Sequence, residues 1–552
     1  MKIKNIFQSN YTDANWRKPL PIIASPVATE EDRLEEKHND DHGQAEAGQT
    51  PASSENPVLK KNRQPTSMEL LFDLFFVSAL AAFNASHELT TADSISNVIT
   101  GFKSYISFIT VLWFYWLQAT IFDVRFYTDS LVGRAFKLIH FGLTAGFAIT
   151  AVRFDVNKLG DDSTQFRSVC ILLTASRVVL IAQYIPVAWY LRRYKSTFMA
   201  KLIVIATLSV SAIIFLGLGL GAKNIHSTRT HAVCFWEILS FKGTPIIDRF
   251  IGLTLIVLGE GIVGMTDSLK SIAMGTKDIS GTSLGLILSH ILLICFVYAL
   301  YIDQIDGERF EYIQQQFWVL FHYPLHMAIL VTSKGSRSWI LYDVSIHVLE
   351  GAKNAALSGR GVAKTSAEVV DVLKKVVEGL SNRLVNDDGR PDFASLYDDL
   401  LSIKDLSKSR DELRALTNQF YSRVTIWIFH TFSIQVKDEA QSKEKAEGDN
   451  AASAEVTRIL AASTIVFRFF FIAAGITLVV LALQHWLSKS NKSRAEFLSI
   501  IITTTAGVFL SLLSVMSLYD SPNKESALGH YINISFPYPM TLSKDLNVAN
   551  NL

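Results

Sequence analysis

Two apolar segments of membrane length contain carboxylic acids in their interiors, and these acids are the residues best placed to do chemistry. Asp73 lies within segment 68–87 and Glu260 within segment 245–267. A carboxylate at the centre of a bilayer costs about 2.5–3.5 kcal/mol even on the mildest insertion scale. Such a group needs either an ion-pair partner or a ligand. Both segments are therefore candidate sites for binding a cation or for a buried ion pair.

Four polar side chains fall near one face of a helix spanning 68–87. They are Glu69, Asp73, Asn84 and His87, whose spacings approximate whole helical turns. Lipid offers no hydrogen-bond partners, so this face must contact other helices or water. A structural ion pair with a neighbouring helix and a functional site both agree with the pattern.

The second segment contains Arg249 and Glu260, eleven residues apart and hence about 16 Å apart along a helix. They are too distant to pair, so each needs a partner on another helix. We predict a site at Glu260 and a structural role for Arg249, which lies nearer the membrane edge. The segment also has small residues that favour close helix packing, namely Gly252, Gly259, Gly261 and Gly264.

A basic residue inside another apolar segment suggests a partner for these acids. Arg177 lies centrally in segment 168–191, and the planar guanidinium group pairs well with carboxylates. We predict, from this chemistry and not from spacing, that Arg177 is the counter-ion of Asp73 or Glu260.

Segment 122–137 carries charges of alternating sign, at Asp123, Arg125, Asp129 and Arg134. This pattern predicts a salt-bridged turn on the cytoplasmic side of the membrane, with a gate as the alternative.

His322 and His326 lie one helical turn apart, a spacing that can bind a metal, but no companion ligand is evident nearby. We predict two hydrogen-bonded core histidines and neither a metal nor a cofactor. The phosphate-binding, nucleophile-elbow and zinc-protease motifs are all missing. The chain is therefore predicted not to be an enzyme. An intramembrane metalloenzyme using His87, His290 or His322 is the least favoured hypothesis.

The composition predicts a membrane protein, because 49% of the 552 residues are hydrophobic and only 19% are charged. A net charge of +1 without a basic tract argues against nucleic-acid binding. We predict an all-α fold, a polytopic transmembrane helix bundle of about ten spans with a helical soluble insert. The predicted spans are 68–87, 100–121, 134–152, 168–191, 200–221, 246–268, 283–303, 313–333, 459–487 and 495–518.

The predicted organisation has five parts. They are a disordered tail at 1–67, a main bundle of about eight spans at 68–333, a polar insert with a charged linker at 334–456, two helices at 457–518, and a tail at 519–552. Apolar residues at helical spacing from Val369 to Leu384 predict an amphipathic helix in the insert. Segments 232–241 and 420–436 are doubtful as spans.

At these motifs the chain resembles the low temperature requirement A (LtrA) family of multi-pass membrane proteins. Segment 68–87 is similar to the family's opening helix, and Asp248–Glu260 to its most specific signature. Arg125–Arg134, Arg177–Tyr184, Tyr301–Asp303 and His322–Leu325 follow in the same order as in the family. The resemblance covers 68–332 and the last two spans. The insert and the N-terminal tail lie outside it and suggest a fungal-type relative.

Three positions depart from the family pattern. This chain has Pro245, Asp248 and Gly261 where the family has His, Glu and Ser. The roles of that His and Ser are not carried over to this chain. The resemblance implies a membrane protein with a loose link to growth in the cold. It implies no reaction, because the family has no settled biochemical activity.

Two functional hypotheses follow. The leading one is a membrane protein that transports or conducts a small solute or ion, with Asp73, Arg177 and Glu260 lining or gating the route. The alternative is a non-transporting scaffold whose insert binds a soluble partner. The lipid bilayer is the expected environment in both, and assembly into a homo-oligomer is left open.

Overall fold

A computed structural model describes residues 21–28, 60, 66–86, 95–152, 154, 163–220, 246–277, 279–305, 312–358, 366–384, 420, 423–432, 434, 451–488 and 492–519. Every named element within these ranges is an α-helix, as predicted. The helices are α1 Ser67–Ser86, α2 Ile95–Phe126, α3 Leu131–Ala151, α4 Ser163–Leu191, α5 Lys195–Leu220, α6 Ile246–Gly275, α7 Gly281–Ile302, α8 Tyr312–Ser358, α9 Ser366–Arg383, α10 Ala451–Ser488 and α11 Arg494–Tyr519.

Seven of these helices are long and apolar enough to cross a membrane. By length and composition they are α1, α2, α4, α5, α7, α10 and α11. The sequence-based estimate of about ten spans is not confirmed. The other three predicted spans, at 134–152, 246–268 and 313–333, do form helices, namely α3, α6 and part of α8.

Each of these three helices has a polar side chain at a buried position. Lys137 of α3, Arg249 of α6 and His322 of α8 are all at most 1% exposed. Such side chains face protein partners, as polar groups in a membrane must.

The outer surfaces of several helices are strongly apolar. On α5, Ile203 and Ile213 are 61% and 69% exposed, and on α11, Phe509 and Leu512 are 62% and 57% exposed. Large exposed apolar surfaces are disfavoured in water but are expected where hydrocarbon is the solvent. Together with the seven apolar helices, they make this chain an integral membrane protein.

The described chain divides into two compact units. The first unit is Met1–Ala82, Thr110–Phe154 and Lys158–Arg249, and the second is Phe83–Ile109, Asp155–Asn157 and Phe250–Leu552. The first unit has an aromatic-rich core in which Phe122 and Phe126 of α2 pack edge-to-face against Tyr184 of α4. Offset and edge-to-face aromatic pairs stabilise such cores beyond the area that they bury.

Part of the predicted N-terminal tail is docked within the first unit. The backbone N–H groups of Leu131 and Val132 donate to the carbonyl oxygens of Pro21 and Ile22, at 3.1 and 3.2 Å. The next N–H of α3, that of Gly133, donates to Ser130 Oγ. These contacts satisfy N–H groups that a helix start otherwise leaves unpaired. Pro21 and Ile22 therefore cap α3, which a freely solvated tail would not do.

The second unit contains the start of the predicted insert. Helix α8 is 47 residues long, about 70 Å by helix rise, and it continues through residue 334 without a break. Its later part shares a hydrophobic core with α9, with the helical residues 423–431, and with α6 and α7. Buried members of this core include Ile272, Ile287, Ile340, Tyr342, Leu373, Val376, Leu380 and Phe429.

This shared core shows how the predicted amphipathic helix of the insert is used. The apolar face of α9, from Leu373 to Leu384, is buried against other helices of the second unit. Within segment 420–436 the structure describes helical residues at 420 and 423–431. Segment 232–241 lies outside the described residues.

Helices α10 and α11 pack through glycine. A Cβ atom on Gly507 would lie 2.7 Å from the carbonyl oxygen of Gly475 and 2.9 Å from Val479 Cγ2. No side chain fits at that separation, so the two backbones are in direct contact. Small residues provide this kind of close approach between membrane helices.

Candidate functional site

The first unit contains a buried ion-pair cluster formed by α1, α2 and α6. Arg249 Nη2 donates to Asp73 Oδ1 at 2.8 Å, and Arg249 Nη1 lies 3.5 Å from Glu69 Oε2. Trp116 Nε1 also donates to Asp73 Oδ1 at 2.8 Å. The side chains of Glu69, Asp73 and Arg249 are almost completely buried. The predicted polar face of the first helix is thus turned inward, while Leu70 and Leu74 are exposed.

Glu69 has a second task at the start of α1. The Thr66 N–H donates to Glu69 Oε2 at 3.0 Å, and the Glu69 N–H donates to Thr66 Oγ1 at 3.4 Å. This reciprocal pair is a capping box, which satisfies two backbone donors at a helix start. The T-x-x-E pattern in front of an apolar run is the sequence signal of such a box, and the prediction for this helix did not include it. The Glu69 carboxylate therefore both caps the helix and faces Arg249.

The predicted pairing of Arg177 with Asp73 or Glu260 is wrong. Arg177 Nε lies 3.4 Å from Ser211 Oγ, and its guanidinium carbon lies 5.6 Å from the centre of the Phe215 ring. No carboxylate contacts Arg177 among the described residues. Asp73 instead pairs with Arg249, the residue predicted to have only a structural role. Chemistry alone could not choose between two guanidinium groups, because the choice depends on which helices pack together.

A second buried ion pair joins α2 and α3. Lys137 Nζ donates to Asp123 Oδ2, and both side chains are almost inaccessible to solvent. The Lys137 ammonium also lies 5.1 Å from the centre of the Phe72 ring, where a cation–π interaction helps to replace its hydration. Asp123 therefore belongs to the buried interior of the first unit and not to the predicted salt-bridged turn.

The exposed end of that turn does form the predicted kind of ion pair. Arg134 donates to both carboxylate oxygens of Asp129, at 2.8 and 2.7 Å, with side chains that are 42% and 52% exposed. The Asp129 carboxylate raises the pKa of Arg134 above its usual range. Arg125 is half-buried. An exposed pair of this type contributes about 0–1 kcal/mol to stability.

The second unit contains Glu260, whose described partner is a residue of α1. Asn84 Nδ2 donates to Glu260 Oε1 at 2.9 Å. The other carboxylate oxygen, Oε2, and the remaining amide oxygen, Asn84 Oδ1, are buried and accept no hydrogen bond from the described residues. Unsatisfied buried acceptors are rare because each costs about 1–3 kcal/mol. Two of them on neighbouring side chains indicate a place where a donor can bind.

Both residues line a small polar cavity between α1, α6 and α8. Its volume is about 30 Å³, and its lining consists of Asn84, Glu260, Gly261, Gly264, Leu330, Ser333, Lys334 and Arg337. A cavity of 10–15 Å³ holds about one water molecule. The cavity thus has room for two or three waters or for one ligand of a few heavy atoms.

One of the four predicted packing glycines is in close contact with another helix. A Cβ atom on Gly261 would lie 2.8 Å from Ser333 Oγ, whereas one on Gly264 would lie at an ordinary contact distance of 3.6 Å from Arg337 Cδ. A Cβ atom would meet open space at Gly252 and Gly259. Gly261 and Gly264 line the cavity, so their missing side chains leave room beside Glu260.

A basic side chain on α8 completes this site. Lys334 Nζ donates to the backbone oxygen of Asn84 at 3.3 Å and lies 4.8 Å from the centre of the Tyr105 ring. The Tyr105 hydroxyl is fully buried and has no hydrogen-bond partner among the described residues. The predicted boundary at 333 put Lys334 at the edge of a soluble insert. Its role here is not evident from the sequence, because no periodicity links residue 334 to residue 84.

The two histidines of α8 are engaged by protein atoms. His322 Nδ1 lies 2.8 Å from the Trp318 carbonyl oxygen and 3.0 Å from Gln484 Nε2, and His322 Nε2 lies 2.9 Å from the Tyr301 hydroxyl. His326 Nε2 lies 2.9 Å from Thr254 Oγ1, whose own proton goes to a backbone carbonyl of α6. Both rings are thus buried and within hydrogen-bond distance of protein atoms. No group of three metal-ligating residues occurs in the described part of the chain.

The remaining sequence candidates are Asp248, His290 and His87. Asp248 is exposed in the first turn of α6, where a carboxylate interacts favourably with the helix dipole. His290 Nδ1 lies 2.8 Å from Ser336 Oγ. His87 lies outside the described residues.

Helix α8 also contains a buried acid that was not predicted from the sequence. Asp343 accepts a hydrogen bond of 2.9 Å from Ser283 Oγ at the start of α7. Burial raises the pKa of the Asp343 carboxyl above its usual range, and the hydrogen bond from Ser283 opposes that shift. Asp343 lies in the part of α8 that hydropathy assigned to the soluble insert, where an acid is expected to be solvated.

Comparison with known proteins identifies the family. The profile of the bacterial low temperature requirement A protein (LtrA) matches residues 64–383. The match extends beyond the predicted limit at 332, so α9 and all of α8 belong to the family region, whereas α10 and α11 lie outside it. No curated protein and no solved structure matches the chain. Because the matched residues make up more than half of the 552, the chain belongs to the low temperature requirement A family.

Proposed function

We propose that this protein transports or conducts a small polar solute or ion, and that the cavity beside Glu260 is part of the route. The single observation that carries the proposal is a polar cavity among apolar helices, lined by a buried carboxylate with an unpaired oxygen. Ionisable groups within membrane segments are expensive, and they commonly mark solute pathways.

The two buried ion pairs of the first unit provide a contrast. Each acid there has a basic partner, Arg249 for Asp73 and Lys137 for Asp123. We assign those pairs to holding helices together. Glu260 instead accepts its described hydrogen bond from an amide, and its other carboxylate oxygen has no donor among the described residues.

A vesicle assay tests the proposal by screening polar solutes one at a time. Purified protein is reconstituted into liposomes, which are shrunk by a hyperosmotic pulse of a single solute, and re-swelling is followed by stopped-flow light scattering. We expect faster re-swelling than in protein-free liposomes for at least one polar solute. Glu260→Gln should slow this rate by about tenfold or more, since about 1.4 kcal/mol of lost interaction suffices.

The matched control is Asp371→Asn, which makes the same chemical change on an exposed position of α9. It should leave the rate unchanged. Equal re-swelling with and without protein for every solute would refute transport. An unchanged rate in a correctly folded Glu260→Gln variant would remove Glu260 from the route.

We also propose that the role in the cold suggested by the family name depends on this transport. Cells that lack the gene are expected to grow slowly at low temperature and normally at their optimum. The parent gene should restore growth in the cold, and the Glu260→Gln gene should not, at equal amounts of membrane-inserted protein. Full rescue of growth in the cold by the Glu260→Gln gene would show that the phenotype does not depend on this cavity.

A further inference from the structure

The described lining of the cavity at Glu260 carries charges of both signs. Lys334 and Arg337 line it together with Glu260. A ligand with a single charge matches only one side of such a site, and it leaves the other side without a counter-charge in a medium of low dielectric constant.

The unpaired atoms show what the acidic side of the cavity needs. Glu260 Oε2 and Asn84 Oδ1 are hydrogen-bond acceptors without donors, and they belong to side chains already joined by a 2.9 Å hydrogen bond. A ligand that carries several N–H groups would satisfy both acceptors. An ammonium group has three N–H donors and a positive charge, which suits this carboxylate.

The basic side of the cavity has the opposite preference. Lys334 Nζ and the Arg337 guanidinium offer only N–H donors and positive charge. Lys334 is held in place by its bond to the Asn84 carbonyl and by the Tyr105 ring, so its position needs no reorganisation on binding. A carboxylate is the small group that best matches a lysine and an arginine together.

From this arrangement we propose that the cavity binds a small zwitterion of the glycine or alanine type, with its ammonium group at Glu260 and Asn84 and its carboxylate at Lys334 and Arg337. The inference rests on the proposed function and names the substrate class of the same site. A cavity of about 30 Å³ limits the ligand to a few heavy atoms. Gly261 and Gly264 provide that space, since any side chain at Gly261 would contact Ser333.

Equilibrium binding of tritiated glycine to the purified full-length protein in detergent tests the proposal. Unlabelled competitors show whether binding requires both charges of the ligand. Alanine should compete well, whereas ethylammonium and acetate should each compete about tenfold less well or worse, since each leaves buried charges unpaired. Betaine, a zwitterion whose nitrogen carries three methyl groups and no N–H group, should also compete poorly, since it cannot donate to Glu260 and Asn84 and is bulkier than glycine.

Variants locate the bound ligand. Glu260→Gln and Lys334→Met should each weaken glycine binding by about tenfold or more, while the exposed-site controls Asp371→Asn and Lys374→Met should bind as the parent does. Because Lys334→Met also loses a structural hydrogen bond, Lys334→Arg is included and should retain binding. Each variant is checked for a single monodisperse peak on gel filtration.

The outcomes separate the substrate class from transport itself. Absence of glycine binding by the folded parent, or equal competition by ethylammonium or acetate alone, would overturn the zwitterion proposal, even if vesicles still re-swell with another solute. Selective glycine binding that is lost in Glu260→Gln would support it. That same binding without any flux in vesicles would overturn transport and leave a zwitterion-binding site.

Discussion

Replacing Arg249 with methionine is expected to lower the free energy of unfolding by about 3–5 kcal/mol, because it leaves buried carboxylates without their counter-ion. Arg249 is the guanidinium that contacts both Asp73 and Glu69. Asp123 and Lys137 also act electrostatically on Glu69. The cluster thus holds three acids, Glu69, Asp73 and Asp123, and two bases, Arg249 and Lys137. The substitution leaves one base for three acids.

The loss is measured as a drop in the thermal unfolding temperature of the purified protein in detergent. A second change, Asp73→Asn in the Arg249→Met background, removes one of the stranded charges and should restore part of the stability. The control is Arg134→Met, which breaks the exposed pair with Asp129 and should cost about 0–1 kcal/mol. Equal losses of thermal stability for Arg249→Met and Arg134→Met would show that the buried cluster contributes no more to stability than the exposed pair.

Neutralising Lys137 is expected to have the second-largest effect on stability. Lys137→Met leaves the Asp123 carboxylate buried and unpaired between α2 and α3, which should again cost about 3–5 kcal/mol. Asp123→Asn should have a similar cost, because it strands the ammonium group. The double variant Asp123→Asn/Lys137→Met removes both charges and should lie much closer to the parent than to either single variant.

Thermal unfolding of the four proteins in this double-mutant cycle measures the coupling between the two charges. A coupling energy of about 2 kcal/mol or more means that each charge is tolerated only because the other is present. Additive losses would contradict the buried pair and would point to packing effects at each position. Met is a suitable replacement for Lys137 because its unbranched chain preserves most of the contact with Phe72.

Local patterns in the sequence determined much of the architecture. Long apolar segments predicted the helices, and seven of them meet the requirements of a membrane span. The helical spacing of Glu69 and Asp73 placed both acids on one face, and that face is buried. The apolar periodicity from Val369 to Leu384 predicted α9. The ordered motifs around Asp248–Glu260 indicated the family that the profile match confirms.

Partner choice was decided by tertiary structure alone. Asp73 pairs with Arg249 and not with Arg177, and Glu260 contacts Asn84, although nothing in the spacing of these residues links them. Helical periodicity tells which side chains share a face of one helix, but it carries no information on which face of another helix lies opposite. The cavity, its lysine and its unpaired oxygens arise only when separate helices pack, so the sequence determined which groups are buried and the fold determined what they meet.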